Sequence, residues 1–231
     1  MVCMRLIIED EQDKAWNMAV DQALLELSAV PILRVYSWKV ESNGLPAMSI
    51  GYLNRWQDVP ADRAFVRRMT GGGVVDHAYD FTYSIVLPLS WIQAVSFAVD
   101  QSYAFFHRLL AEGLEAVGVQ TRLAIGSDNG SGGGACFLNP VPGDLLEVKT
   151  NRKVAGAAQR RNRLGLLHQG SVLGKSWSRS EKEGLGCRLA ALLSWEWGLA
   201  LEESTLEREE MDRAEYWKSC RYALDSWNRR I

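Results

Sequence analysis

The chain has 231 residues, with 26 basic against 28 acidic side chains for a net charge of −2, 23% charged and 47% apolar. That balance excludes disorder, a collagen-like fibre and a coiled coil, and it argues against a dedicated nucleic-acid binder, whose domain is normally strongly basic. No apolar run reaches membrane-spanning length, and the start MVCMRLIIEDEQDK is too charged after Ile8 for a secretory signal. Four scattered cysteines (Cys3, Cys136, Cys187, Cys220) and three separated histidines build neither a disulfide framework nor a compact metal site. The expected setting is reduced and cytoplasmic, with no metal, no membrane and no nucleic-acid partner. Nine tryptophans stand out and call for a sizeable apolar interior or pocket.

A short strand is expected at 5–8, then a helix from about 14 to 28. Trp16, Ala19, Val20, Ala23, Leu24 and Leu27 recur there at helical spacing, and Asp13 is placed to cap the first turn. Residues 32–38 alternate as a strand, with Arg34, Tyr36 and Trp38 on one side. Further strands are expected at 47–52, 64–69 and 81–87. One long helix is expected from about 92 to 117, stopped by Gly118, followed by a strand at 119–124. Residues 126–134 (GSDNGSGGG) form a flexible stretch before Cys136, and strands follow at 145–149, 154–158 and 164–173. From Ser180 onward the chain reads as helical, in two pieces broken near 199–203. Clustered strands with helices at the start, middle and end favour an α+β domain with a mixed, largely antiparallel sheet.

Four segments carry chemistry. Arg67-Arg68-Met69-Thr70-Gly71-Gly72-Gly73-Val74-Val75-Asp76-His77 strips side chains from a stretch of backbone, so a ligand can lie against its N–H groups. The two arginines could neutralise a carboxylate, a phosphate or a phosphopantetheine; the plain alternative is a tight turn between strands. It is neither a Walker loop nor a dinucleotide fingerprint. In Lys153-Val154-Ala155-Gly156-Ala157-Ala158-Gln159-Arg160-Arg161 a single lysine precedes small residues, so it reads either as a polar-ligand group or as part of a solvated basic face. Cys136 lies in a glycine-rich loop, where a thiol is either a small apolar filler or a nucleophile with cationic neighbours. His168 lies in Leu167-His168-Gln169-Gly170-Ser171 and reads alone as a satisfied core residue, as does His107 in the middle helix.

Taken in order, Asn17-Met18-Ala19-Val20-Asp21-Gln22-Ala23, Leu33-Arg34-Val35-Tyr36-Ser37-Trp38 with Pro46-Ala47-Met48-Ser49-Ile50-Gly51-Tyr52, the glycine segment, the lysine segment and His168-Gln169-Gly170-Ser171 resemble the catalytic domain shared by lipoate–protein ligases, octanoyltransferases and biotin–protein ligases. The stretch Cys136-Phe137-Leu138-Asn139-Pro140-Val141-Pro142-Gly143-Asp144-Leu145 looks like the cysteine-dependent octanoyltransferase branch. It departs from that branch at Gly143-Asp144, which replaces an aromatic–acidic pair, in a slightly longer gap from Cys136 to Lys153, and in extra residues at 41–45.

The resemblance implies a biotin/lipoate protein ligase-like, class II synthetase-like fold forming a single catalytic domain over 1–231, with 180–231 as a helical C-terminal cap and no room for an accessory domain. Most tryptophans would then anchor that cap to the sheet. It implies transfer of an octanoyl or lipoyl group from an acyl carrier thioester, through a Cys136 acyl-enzyme, to a lysine of a lipoyl carrier domain, without cofactor. Lys153 would lower the thiol pKa, relay protons and, with backbone N–H groups near Gly156 and Ala157, meet the oxyanion. Arg67, Arg68, Gly71, Gly72, Gly73, His77, Asp144 and His168 would bind substrate. The alternatives are an ATP- and Mg-dependent lipoate–protein ligase acting through an acyl-adenylate, and a non-catalytic acyl-binding relative. Implied partners of the expected monomer are acyl carrier protein and lipoyl domains, from glycine cleavage H protein or 2-oxoacid dehydrogenase E2. The basic residues Arg152, Lys153, Arg160, Arg161 and Arg163 would steer these acidic carriers.

Overall fold

The computed structural model describes residues 3–95, 99–125 and 140–231. Its main sheet has eight strands in the order β11-β1-β2-β6-β10-β9-β8-β7. The strands are β1 (Cys3–Gln12), β2 (Ile32–Trp38), β6 (Phe81–Pro88), β7 (Thr121–Leu123), β8 (Leu145–Glu147), β9 (Lys153–Arg161), β10 (Gly165–Val172) and β11 (Ala200–Ser204). β1 runs parallel to both its neighbours and every other pair is antiparallel, which is the mixed, largely antiparallel sheet expected. A small second sheet, β4-β3-β5, is made from β3 (Met48–Ile50), β4 (Phe65–Arg67) and β5 (Val75–Asp76).

Both faces of the main sheet are covered, so β6 and β10 are buried along their whole length. The two-residue period sorts their side chains. Phe81, Tyr83, Ile85 and Leu87 enter a core shared with α3 (Val99–Glu115) and α4 (Arg179–Trp197), whereas Val86 packs with α1 (Lys14–Leu27) on the other face. Asp13 caps α1 by accepting from the Ala15 and Trp16 N–H groups. Ser178 and Glu181 form a capping box on α4, and Gly198 closes that helix at φ +62°.

Of the helix expected over 92–117 the structure describes α2 (Leu89–Val95), which follows β6 directly and packs on β6 and β10, and α3, which packs on α4 and β7. Residues 96–98 between them lie outside the described residues. Two expectations are corrected, both in the C-terminal segment. The break near 199–203 is the strand β11, and the segment 180–231 is not one helical cap. β11 reads ALEES and is largely exposed, so nothing in its own pattern marks a strand; pairing with β1 makes it one, and its glutamates keep the sheet edge charged. Helix α4 then covers one face of the sheet, while α5 (Arg208–Trp217) covers α1 on the other. Buried Arg5 ties β1 to α5 through Glu210 at 2.6 Å.

Eight of the nine tryptophans lie in a hydrophobic core or pack against one. Trp38 and Trp177 alone are buried, and Trp195 is 85% exposed. Trp217 and Trp227 are half-buried and dock the C-terminal elements by donating to Glu26 and to the Arg67 carbonyl.

Candidate functional site

The glycine segment runs from β4 to β5 beside α1 and β9. Adjacent arginines within it have opposite fates. Arg67 is fully buried, and its guanidinium donates to the carbonyls of Gly51, Tyr52, Asn54, Trp227 and Asn228. The expectation that it meets an anionic ligand is therefore corrected: it staples the C-terminal segment to the small sheet. Arg68 turns toward the cleft, donating to Ser49 Oγ at 2.6 Å and to the carbonyls of Gly71 and Gly73 at 2.9 Å. Gly72 adopts φ +81°, a left-handed conformation that favours glycine. Gly51 is required by proximity, since a Cβ there would lie 1.9 Å from the Gly72 carbonyl oxygen.

His77 is locked from three sides. Its Nδ1–H donates to Asp80 Oδ2 at 2.7 Å, and its Nε2 lies 2.6 Å from Ser49 Oγ. Ser49 Oγ also accepts from Arg68, so the serine hydroxyl bridges the arginine and the imidazole. The ring stacks on Trp38 at 3.8 Å. Burial pushes the Asp80 carboxyl up, but charge attraction to His77 and hydrogen bonds from His77, Ser171 and Thr82 outweigh it and hold the group below its ordinary value. His77 is thus a rigid wall.

Across the cleft, β9 carries Lys153, whose side chain is 3% exposed and pairs with the fully buried Asp144 at 2.7 Å. Gly156 makes room for this ammonium: a Cβ at that position would lie 2.7 Å from Nζ and 3.2 Å from Asp144 Oδ1. Asp144 Oδ2 also accepts from the Val141 N–H, and Oδ1 accepts from Tyr103 Oη at 2.8 Å. The Ala157 N–H donates to Tyr103 Oη at 3.0 Å, so it is not the oxyanion donor expected of it. Cys136 lies outside the described residues. The described ends around it meet at Asp144: Ala124 N–H donates to the Asp144 carbonyl and Gly143 N–H to the Ala124 carbonyl.

Between these walls lies a narrow cleft with about 30 Å³ of water-accessible space, lined among others by Met18, Tyr36, Trp38, Val75, Gly72 and Ala158. His77, Arg68, Gly156 and Ala157 line it as well. His168 does not, which corrects its expected substrate contact: its neighbours Gln169 and Gly170 reach the cleft, while its ring points to the opposite face against Phe106. Gln159 donates to its Nδ1 at 2.9 Å, leaving Nε2–H toward Tyr83 Oη at 3.3 Å. Lys153, being paired and enclosed, also drops out of the expected basic surface, whereas Arg152, Arg160 and Arg163 are exposed.

Sequence reasoning did not single out Ser49, Tyr36, Trp38 or Gln169 as cleft residues. A signal existed for Gln169, which stands with His168 and Ser171 among the polar residues of a fully buried strand. It is pinned by donating to Asp21 Oδ2 at 2.6 Å and accepting from Thr70 Oγ1 at 2.6 Å, which ties α1 to the glycine loop.

Two buried histidines set a pH dependence. Burial pulls His107 down from 6.5 to about 4, and burial together with neighbouring His107 pulls His168 well below its ordinary value. His107 faces Tyr103, His168 and the Asp144–Lys153 pair, and its Nδ1–H donates to the Gly143 carbonyl at 2.5 Å. Between pH 6.5 and about 4 the unfolded chain binds a proton at His107 that the folded chain refuses, so stability falls as pH drops through that window. Urea denaturation is expected to show wild type losing about 2–3 kcal/mol more than His107→Gln between pH 7 and 4.5. Parallel losses would contradict it.

A mainly apolar cleft, with Gly72 of the glycine loop on one side and Gly156–Ala158 of β9 on the other, marks the candidate site of this domain. The chain belongs to the lipoyl protein ligase A/B catalytic domain family, whose profile matches residues 13–179. Octanoyltransferase LipM of Brevibacillus brevis is 31% identical over 187 residues, covering 73% of this chain and 65% of that protein. LipM of Staphylococcus aureus is 32% identical over 180 residues, covering 70% and 62%. The match therefore spans slightly less than two thirds of these relatives' length. In three dimensions the chain superposes on a T. acidophilum protein described as a lipoate protein ligase, with bound lipoic acid, at a TM-score of 0.76 and 19% identity over 100% of both chains. It superposes on a lipoate-protein ligase A bound with ATP at 0.75 and 19% identity, over 99% of this chain and 98% of the other. These likenesses establish the fold. Among the described residues no helix is long and apolar enough to cross a membrane, and no group of three or more His, Cys, Asp or Glu could hold a metal ion.

Proposed function

We propose that this chain is a single catalytic domain of protein lipoylation that moves an octanoyl or lipoyl group from a carrier thioester to a lysine of a lipoyl domain. The observation that carries the reading is the Lys153–Asp144 pair held beside Gly156, against the wall of an apolar cleft. In the proposed sequence the Cys136 thiolate attacks the thioester carbonyl, the carrier thiol leaves, and the acceptor lysine amine then displaces Cys136 to leave an amide. Lys153 gives its proton to the departing carrier thiol and takes one back from the acceptor amine as Cys136 leaves as the thiolate, and Asp144 holds its ammonium in place. The thioester is already activated, so no nucleotide or metal is needed. The relatives named octanoyltransferases support this donor.

A second reading, ATP-dependent ligation of free lipoate with Mg, is supported by the fold likeness to the ATP-bound ligase. Against it, Arg67 is consumed by backbone carbonyls and Arg68 is engaged with Ser49, Gly71 and Gly73, so neither is poised for a triphosphate. Lipoyl domains of E2 type are the proposed acceptors, as one likeness is to a T. acidophilum bi-partite lipoate protein ligase studied with its E2 lipoyl domain. Exposed Arg152, Arg160 and Arg163 would steer acidic carriers, in a cytoplasmic setting.

Intact-mass analysis tests the reading. Octanoyl-acyl carrier protein without ATP is expected to leave one octanoyl adduct on the wild type and none on Cys136→Ala. Absence of an adduct, with AMP released only from lipoate plus ATP, would establish the ligase instead.

A further inference from the structure

Helix α3 turns mainly apolar residues inward: Phe106, Leu109, Leu110 and Leu114 are fully buried in the core. Tyr103 and His107, one turn apart on the same face, break that pattern. Both are directed at one short turn ahead of β8. The Tyr103 ring fills the space beside Gly143, where a Cβ would approach it to 2.8 Å, and His107 donates to the carbonyl of the same glycine. The Tyr103 hydroxyl then reaches past the turn. It donates to Asp144 Oδ1 at 2.8 Å, accepts from the Ala157 N–H at 3.0 Å, and lies 3.0 Å from the Ala157 carbonyl oxygen.

This hydroxyl joins α3, Asp144 and Ala157 of β9. β8 pairs with β9 only at Leu145 with Ala155 and Leu146 with Lys153, so beyond Ala155 that edge of β9 has no β8 partner. Tyr103 occupies the place of a neighbouring strand at Ala157 and, with the same oxygen, fixes one oxygen of Asp144 while Lys153 takes the other. Packing alone would be met by phenylalanine. The hydroxyl is what the geometry uses.

We propose that Tyr103 is a positioning residue for the transfer reaction: by holding Asp144 and the β9 edge together, it fixes the Lys153 ammonium in the orientation that delivers its proton. The inference rests on the functional reading above, in which Lys153 serves proton transfer. It requires no contact between Tyr103 and substrate.

The test is a double-mutant cycle on the full chain with octanoyl-acyl carrier protein and a lipoyl domain. Tyr103→Phe is expected to lower kcat about ten- to hundredfold, the loss of one hydrogen bond to a charged group, with KM for the acyl donor within about twofold. In an Asp144→Asn background the same substitution is expected to cost less than about threefold. An undiminished effect there, a change confined to KM, or no change in kcat would overturn the proposal. If wild type transfers no acyl group from any thioester, the functional reading has failed, and the positioning role is read without turnover. Amine acylation of Lys153, followed by peptide mass, is then expected to run several-fold faster in Tyr103→Phe, at a temperature where circular dichroism shows both proteins fully folded. Equal rates would overturn it.

Discussion

Lys153→Met is expected to abolish acyl transfer and, separately, to cost about 3–5 kcal/mol of folding stability, the usual penalty for stranding one partner of a buried ion pair. The activity loss, at least about a hundredfold, is what the proton-transfer role proposed for Lys153 predicts. The stability loss has a different origin. Asp144 has no exposed surface, and without the ammonium its carboxylate keeps only the Tyr103 hydroxyl and the Val141 N–H. The two effects separate in Lys153→Met/Asp144→Asn, which replaces the ion pair by neutral groups of similar volume. Urea denaturation is expected to recover most of the lost stability in this double variant, while the mass and turnover assays stay blank. Should the single variant prove as stable as wild type, the pair would not be desolvated as the structure has it. Lys153→Arg is likewise expected to be inactive, because a guanidinium neither fits beside Gly156 nor exchanges a proton at neutral pH.

Arg34→Met is expected to destabilise the protein by a similar 3–5 kcal/mol, lowering Tm by about 10 °C for a chain of this size. Arg34 has no exposed surface and is the hub of a charged network under α1. It pairs with Glu9, donates to Asp21 Oδ1 at 2.9 Å and to Asn17 Oδ1 at 3.0 Å, and lies over the Tyr36 ring. Burial alone would pull its pKa down; Glu9 and Asp21 more than offset that and leave it raised, so the guanidinium stays charged. Removing it leaves Asp21 facing Tyr36, Ser84 and Gln169 with no cation. Gln169 is the link from Asp21 to Thr70, so looser ligand binding in the cleft is expected alongside the lower Tm. Calorimetry with and without an octanoyl ligand measures both, and a Tm within 2 °C of wild type would remove Arg34 from this role.

Legibility in the sequence followed the physical origin of each feature. β2, β6 and β10 were visible because a strand buried among apolar neighbours must itself be apolar, and FTYSIVL leaves little else. β11 was not, because its strand geometry comes from β1 and its side chains face water. At the site, Gly71–Gly73, Gly156 and Lys153 stood out because absent side chains and a lone lysine among small residues are rare in ordinary strands. Tyr103 did not, because an aromatic on an amphipathic helix reads as core until its hydroxyl is seen to touch Asp144.

Length, charge and cysteine usage set what kind of protein this is, and ordered local motifs set its family. Those properties belong to composition and to residues adjacent in the chain. Which of Arg67 and Arg68 faces the cleft was decided by folding, because neighbours of identical chemistry differ only in what the tertiary structure places around them. The same holds for the face His168 presents, which turned on the pairing of β10 between β6 and β9. The Lys153–Asp144–Tyr103 contact joins three elements through distances of a few ångströms that no sequence spacing encodes.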